Sequence, residues 1–501
     1  MAKEQQKETK DKKSGITTRE QDYAQWYLDV IARADLADYA PVKGCMIIKP
    51  YGYAIWEGIR DALDRMIKDT GHQNAYFPLF IPLSFLEKEA KHIEGFAMEC
   101  AVVTHSGLEK GPDGKLHPRG QLEEPLVVRP TSETIIGHAW KKWVTSWRDL
   151  PLLHNQWANI VRWEMRTRLF LRPLEFLWQE GHTAHATPDE AREEVRRMLE
   201  VYRVLAEEWI AMAVVPGLKT ESERFPGAVD TFSIEAMMQD RKALQSGTSH
   251  YLGQNFSKAF DVSFQNKEGK LEHVYTTSWG VSTRLVGGLI MSHGDDKGLV
   301  LPPKLAPWQV VIIPIMKGDE DAAKVRPVAA GLAADLKARG LRVRLDDRDH
   351  LTPGNKFYEW EGKGVPLRVE VGPKDVDKGQ VVAVRRDTGE KSFLPVAAFL
   401  EGAARTLDAI QAGLLDASRK RLQEKTFEKK DYAGLREVIE ADAGWVRAPW
   451  CGGAACEAKV KEETKATIRC LPLSGGDAGA GETCAVCGSA AKHRALFARA
   501  Y

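Results

Sequence analysis

No apolar run in this chain approaches the roughly 20 residues that a membrane-spanning helix needs, which excludes a helical membrane protein. Excess charge is also lacking: 71 Lys and Arg face 70 Asp and Glu, leaving a formal net charge of +1. There is then no global cationic field, and a nucleic-acid partner must be met by local basic patches. The first residues, MAKEQQKETKDKKSG, lack the apolar core of a secretory signal. They read as a disordered, solvated tail over residues 1–15, or alternatively as a nonspecific RNA contact through Lys10, Lys12 and Lys13. Cysteine is sparse and unevenly placed. Of seven, Cys45 and Cys100 are scattered and five lie between Cys451 and Cys487. Without an export signal the expected location is a reducing cytoplasm, where clustered cysteines indicate metal rather than disulfides.

The 501 residues are enough for two to four domains with real cores. Helical periodicity covers Asp22 to Arg33 and Tyr53 to Asp69. Asn74 to Leu83 is apolar but interrupted by Pro78 and Pro82, so it reads as an edge or interface strand. Pro125 to Trp147 starts as a strand, PLVVRP, then turns through Thr131-Ser132-Glu133 into a helix carrying Trp140, Trp143 and Trp147. Thr131 or Ser132 is a candidate N-cap. Thr187 to Ala213 reads as one long helix capped by Thr187 with Pro188 in its first turn. Residues 216–290 alternate short apolar runs with turns, as in an antiparallel sheet, ending in a small-residue helix from Gly280 to Ile290. Beyond the proline-rich hinge 301–307, strands (WQVVIIPI, Leu341–Leu345, Pro366–Val371, Val381–Arg385) alternate with helices (Ala322–Arg339, Lys356–Gly362), as in an α/β domain. Helical segments fill Leu394 to Ala441.

The stretch Ile160–His185, IVRWEMRTRLFLRPLEFLWQEGHTAH, has the pattern strand, basic loop, returning strand. Arg162 and Glu164, two residues apart on a strand, share a face. Arg can bind phosphate bidentately and Glu can accept from an amine. On their own the two are more readily a surface ion pair. Three further segments change the balance: Thr131-Ser132-Glu133, Gln245–His250 (QSGTSH) and Ser278–Arg284 (SWGVSTR). Together they offer arginines, acids, hydroxyls and a histidine from separate elements, as a small-molecule site requires. At the C-terminal end, Cys451-x4-Cys456 and Cys484-x2-Cys487 bracket 27 residues. Two close thiolate pairs suit a structural tetrahedral Zn²⁺ site better than CxxC redox chemistry. Cys470, in RCLPL, reads as a core cysteine.

These segments resemble the class II aminoacyl-tRNA synthetases, and in detail the prolyl-tRNA synthetases of the archaeal and eukaryotic type. NAYFPLFIPLSFL resembles motif 1, at that family's dimer interface, and RWEMRTRLFLRPLEFLWQEGHTAH resembles motif 2. RPTSET resembles the proline-cradling loop. QSGTSHYLGQNFSKAF and SWGVSTRLVGGLIMSHGDDKGLVLPP resemble the remaining active-site segments and motif 3. The similarity runs from about residue 20 to Tyr501. It implies an α+β catalytic domain with an antiparallel sheet over 16–300 and a hinge at 301–307. An α/β anticodon-binding domain at 308–404 and a small α/β zinc-binding domain at 405–501 would follow.

The resemblance also implies roles. Thr131 and Glu133 would hold the imino group of L-proline and Arg162 its carboxylate, with Trp178, Glu180, His182 and His250 shaping the pocket. Arg162, Glu164, Arg172, Pro173, Phe176, Gln245, Thr248, Ser282 and Arg284 would serve ATP, with Phe176 on adenine and Arg284 on the terminal phosphates. Arg162, Glu164 and Arg284 would carry the catalysis, with Mg²⁺. Arg348, Lys356, Glu361, Arg368 and Glu370 would read or support the anticodon of tRNA(Pro), with Phe357 and Tyr358 available for stacking. Cys451, Cys456, Cys484 and Cys487 would bind zinc. A homodimer is implied, with no membrane partner.

Two departures stand out. Pro173 replaces a usual hydroxyl residue, and the loop Met165–Leu169 is shorter than in some relatives. The segment between motifs 2 and 3 is too short for an inserted editing domain. A decayed, non-catalytic relative would have lost Arg162, Glu164, Glu133 or Arg284, and all four stand here. A threonyl or glycyl ligase is disfavoured by the TSE loop and the WQEGHTAH string.

Overall fold

The computed structural model describes residues 15–87 and 100–501. The expected tail, with Lys10, Lys12 and Lys13, lies outside them apart from Gly15. The architecture is built on one eleven-stranded sheet. In chain order its strands are β1 (Gln73–Asn74), β2 (Leu152–Val161), β3 (Glu175–His185), β4 (Val214–Leu218), β5 (Asp230–Met237), β6 (Ala243–Gly253), β7 (Tyr275–Ser282), β8 (Thr426–Glu428), β9 (Trp445–Trp450), β10 (Thr467–Pro472) and β11 (His493–Ala498). Their spatial order is β8-β9-β11-β10-β4-β5-β6-β7-β3-β2-β1. All neighbours are antiparallel except β1 with β2 and β8 with β9.

Alternation along β3 sorts its side chains between two faces. Gln179 points to the helix-covered face, where its Oε1 accepts from the Tyr202 hydroxyl at 2.6 Å. Phe176, Trp178, Glu180 and His182 point to the opposite face. The covered face holds the largest core cluster, including Trp26, Tyr27, Leu199, Tyr202, Trp279 and Leu289. Gly181 is needed there: an added Cβ would lie 2.1 Å from the Trp279 indole. Helices 23–33, 50–69, α2 (Pro188–Val204) and α3 (Arg284–His293) contribute to this core.

Most expected elements are present, with five differences. The helix after the TSE segment, α1 (Glu133–Trp143), stops before Trp147, which opens a separate 3-10 turn capped by Ser146. Helix α2 has the expected Thr187 cap and Pro188, but its regular turns end at Val204. A π-turn (Leu205–Trp209) follows, and Ala211 adopts φ +57° before β4 begins. Gly280–Ser282 are strand, not helix, because β3 and β6 pair β7 from both sides; α3 starts at Arg284. The expected helical run 394–441 begins in a strand (Lys391–Pro395). It is then broken by β8 between helices Val396–Glu424 and Tyr432–Glu440. Finally, β2 ends at Val161, so Arg162 and Glu164 are not successive same-face strand positions; the Glu164 N–H instead donates to the Arg162 carbonyl.

Asn74 to Leu83 divides into β1, at the sheet edge, and Phe80–Pro82, at the edge of a three-stranded sheet with the hairpin Ala101–Lys110/Leu116–Val128. The prolines explain the interruption. After 301–307, a five-stranded sheet is flanked by helices 319–338, 353–362 and 396–424 and has its own core around Val310, Ile312, Leu332, Val369 and Phe399. Arg386 crosses to Asp295 near the end of α3 with hydrogen bonds of 2.7 and 2.6 Å. The C-terminal strands extend the main sheet through β10 on β4.

Candidate active site

A cavity of about 320 Å³ opens on the face of the sheet opposite the largest core cluster, beside the α1 helix. Its wall brings together the four segments singled out in the sequence: Thr131 and Glu133, Arg162 with β3, Gln245 and Thr248 with His250, and Ser282 with Arg284.

Each wall residue has a local reason for its place. Ser132 occupies the N-cap position of α1, yet its hydroxyl donates to Glu180 Oε1 at 2.5 Å rather than capping the helix. The Thr131 hydroxyl donates to Glu133. The turn is thus organised by the site and not by helix capping. Arg162 leaves the end of β2, and its Nε donates to the Pro130 carbonyl at 3.1 Å. Its guanidinium lies 5.5 Å from the Trp178 ring and 6.0 Å from the Phe176 ring.

Glu180 and His182 form a buried pair, with His182 Nε2 2.9 Å from Glu180 Oε2. Burial alone disfavours the charged form of both groups. For Glu180 it is outweighed by the hydrogen bond and charge of His182, then by donors from Ser132 and Gln156, so the carboxyl titrates below its ordinary range. For His182 burial is outweighed by Glu180 and then Glu133, so the imidazole is raised. His250 goes the other way. Burial, with the charges of His182 and Arg162 nearby, pushes it down to about 3, so it is neutral. Its Nδ1 meets Thr231 Oγ1 at 3.0 Å, and Phe225 packs on its ring at 4.5 Å.

Arg284, partly buried, also lines the cavity. Its Nε donates to the Leu171 carbonyl at 3.0 Å and its Nη1 reaches the Gln245 carbonyl at 3.5 Å. Burial, then the cations Arg172 and Arg162, push its guanidinium down to about 10, against the opposing Glu164 and Glu235. Arg162 and Arg284 within one cavity form a site that favours an anion. Glu164 and Arg172 face each other at 4.0 Å close by, but neither they nor Pro173 form the cavity wall.

The wall also contains Glu223, Arg224, Phe225 and Pro226, from a loop that sequence reasoning passed over. The available signal was an aromatic inside the polar string ESERFPG.

The candidate anticodon residues fall into two groups. Arg348 pairs with Asp346 at 2.7 Å and Glu359 at 2.8 Å, and Lys356 is buried with its Nζ on the Asp346 carbonyl at 3.0 Å. Glu370 accepts from Arg368 at 3.0 Å and Lys391 at 2.9 Å, and Arg368 lies over the Phe357 ring at 4.5 Å. Glu361 and Arg368 share a second cavity, of about 340 Å³, with Lys297 and Lys391. Tyr358 is part-exposed beneath the Arg33 guanidinium.

All four expected metal ligands come together, with their sulfurs within 4.8 Å of one another. Cys451 lies 3.7 Å from Cys456 and 3.8 Å from Cys487. A tetrahedral zinc with Zn–S of about 2.3 Å needs sulfurs about 3.8 Å apart, so the donors fit. Cys470 is separate and fully buried.

Comparison with known proteins finds family matches over three stretches of the chain. Residues 117–293 match the family described as "tRNA synthetase class II core domain (G, H, P, S and T)", 309–405 match "Anticodon binding domain", and 432–501 match "Prolyl-tRNA synthetase, C-terminal". The chain is 58% identical over 492 residues to a proline–tRNA ligase of Chloroherpeton thalassium, covering 97% of this chain and 99% of that one. It is 56% identical over 489 residues to one of Porphyromonas gingivalis, with the same coverage. Among solved structures, a prolyl-tRNA synthetase from Cryptosporidium parvum, complexed with halofuginone and AMPPNP, superposes with a TM-score of 0.91 at 41% identity. That match covers 97% of this chain and 100% of the other.

Proposed function

Since the chain belongs to the prolyl-tRNA synthetases, we propose that the 320 Å³ cavity is where it performs proline–tRNA ligation, with the following division of labour. L-proline lies against Trp178, His182 and His250. Glu133 and Thr131 receive its imino group. Arg162, in the cavity wall, binds its carboxylate and the α-phosphate of ATP. Phe176 stacks on adenine, Gln245, Thr248 and Ser282 bound the nucleotide, and Arg284 takes the terminal phosphates, flanked by Arg172, Pro173 and Glu164.

The reaction needs no side-chain nucleophile. The proline carboxylate attacks the α-phosphate in line, and diphosphate departs. Prolyl-adenylate then passes its acyl group to the 3′-terminal ribose of tRNA(Pro). The residues contribute positioning and charge stabilisation. Glu164, beside Arg172, is the carboxylate that would help hold Mg²⁺, which when bound would supply positive charge on the phosphates. The observation that carries this reading is the convergence of Glu133, Arg162, Glu180, His182, His250 and Arg284 on one cavity from separate elements.

Further proposals concern the rest of the chain. Zn²⁺ held by Cys451, Cys456, Cys484 and Cys487 is structural. Residues 308–404 bind the anticodon through Arg348, Lys356, Glu361, Arg368 and Glu370, some by direct contact and the buried Lys356 by support. Two copies associate through the 74–83 edge, where Tyr76 and Phe80 are exposed. Residues 16–300 form the catalytic unit, 301–307 a hinge and 405–501 the zinc-binding unit. Free thiols throughout, and no described helix long and apolar enough to cross a membrane, fit the cytoplasm.

ATP–diphosphate exchange measured with each amino acid tests the assignment. Exchange driven by proline is expected; exchange driven by threonine or glycine in its place would overturn it.

A further inference from the structure

Behind the cavity wall, Gln156 is almost fully buried, at 1% exposure. It sits on β2 directly opposite Glu180 on β3. Its amide is held from both ends. The Phe77 backbone N–H donates to Gln156 Oε1 at 2.5 Å. Gln156 Nε2 donates to Glu180 Oε1 at 2.7 Å and lies 3.3 Å from Ser132 Oγ. A backbone N–H can only donate, so the amide oxygen must face Phe77 and the NH₂ must face Glu180. The carboxylate then has donors on both oxygens: Gln156 and Ser132 on Oε1, and His182 on Oε2.

We propose that Gln156 is a positioning residue for amino-acid selection. Its amide holds Glu180 in the orientation and ionised state in which that carboxylate keeps a proton on His182 Nε2, and so presents a rigid, charged wall to the bound amino acid. Glu180 is thereby fully engaged by the protein, and it acts on the substrate through His182. The 75–77 segment is the anchor, since Phe77 is gripped twice: by Gln156 at its N–H and by the buried Arg129 at its carbonyl, at 2.7 Å. Arg129 immediately precedes Pro130, whose carbonyl receives Arg162.

Other charged groups face the pair and must enter any account of its titration. Glu133 on α1 acts on His182. His154 on β2 and His250 on β6 both feel His182, and His72, just before β1, acts on His154. Arg162 acts on His250. The group that bonds directly to Glu180 from β2 is Gln156.

The proposal rests on the reading of this cavity as the proline site, and the test separates the two. Gln156→Glu keeps size and the acceptor for Phe77 but replaces the donor on Glu180 with a second acid. The KM for proline is expected to rise at least tenfold with kcat within about twofold. The acid limb of the proline kcat/KM profile should move to higher pH, while the KM for ATP is unchanged. In ¹⁵N-histidine NMR the His182 signal should shift its titration in the same variant. Gln156→Glu/Glu180→Gln re-forms the donor–acceptor pair with the roles exchanged. It should recover the melting temperature without recovering the wild-type pH profile. If Gln156→Glu folds and leaves the proline KM and the His182 titration unchanged, or raises the proline and ATP KM together with no shift in profile, Gln156 is structural filling and the proposal falls. Should Gln156→Glu not fold, a double variant with a wild-type pH profile overturns it equally. Wild-type protein that shows no proline-dependent exchange would instead remove the underlying site reading.

Discussion

Arg469, on β10 near the C-terminal end of the chain, donates through Nε and Nη2 to the Glu235 carboxylate on β5, at 3.1 and 3.0 Å, with both residues buried. Lys219 completes the group, with its Nζ 3.5 Å from Glu235 and 2.7 Å from the Arg469 carbonyl. Burial raises the proton affinity of Glu235, but Arg469 and then Lys219 outweigh it, so its carboxyl lies below the ordinary range. Arg469→Met leaves that acid buried beside one cation, and removing one partner of such a pair costs about 3–5 kcal/mol. A melting temperature several degrees lower is expected by calorimetry. The sign of the pH dependence follows from the depressed pKa. The wild-type contribution is present above the unfolded value of 4.5 and lost as pH falls toward the folded value, so the gap between wild type and variant should narrow on acidification below pH 4.5.

Arg162→Ala should reduce proline-dependent diphosphate exchange by about 10²–10³-fold, since one well-placed charge on the reacting centre is worth about 3–4 kcal/mol. Circular dichroism and zinc content should be unchanged, because Arg162 lines the cavity and the four clustered cysteines lie elsewhere in the chain.

Elemental analysis should return one zinc per chain. Cys484→Ser should lose it and lower the melting temperature while leaving the initial exchange rate within a few-fold, because the four sulfurs lie in the C-terminal part of the chain and not in the wall of the main cavity.

Gly181→Ala places a methyl group where the Trp279 indole lies at 2.1 Å. Overpacking of this kind costs about 1–3 kcal/mol. Because Gly181 stands between Glu180 and His182, the expected kinetic signature is a higher KM for proline, measured by exchange, with ATP affected less.

Each missing methylene contact costs a smaller amino acid only about 1–3 kcal/mol. Alanine should therefore be activated at a measurable rate. Residues 186–274, between the motif 2 hairpin and β7, form helix, sheet strands and short connections, so Ala-tRNA(Pro) should persist in the presence of the purified protein. Hydrolysis at an enzymatic rate would contradict this.

Much of the site was legible in the sequence because its residues lie in short, chemically unusual strings. RPTSET, WQEGHTAH, QSGTSH and SWGVSTR each reach the cavity as expected from their content. What escaped was tertiary. The face argument for Arg162 and Glu164 assumed a strand that stops one residue earlier, and what directs Arg162 is the Pro130 carbonyl. Ser132 looks like an N-cap because its type suits one; that its hydroxyl turns to Glu180 depends on β3 being beside it. Gly280–Val281–Ser282 read as helix from small residues, but two flanking strands override local propensity. Gln156 sits in an unremarkable strand, LLHNQWANIV, and its importance depends on Phe77, 79 residues away. The four clustered cysteines were the easiest case, since ligand spacing is itself the signal. That the C-terminal strands would join the main sheet had no local signature, because β-pairing partners are set by burial across hundreds of residues.

That joined sheet has a consequence for how the chain matures on the ribosome. β4 is the outer strand of the N-terminal part of the sheet, and its other edge is paired by β10, about 250 residues later in the chain. Until residues 467–472 have been synthesised, a nascent chain with its catalytic strands already assembled carries an open row of backbone donors and acceptors, the kind of edge that recruits other strands. Chaperone dependence and aggregation of truncated products should therefore concentrate in chains that stop between β7 and β10, and fall sharply once β10 is present.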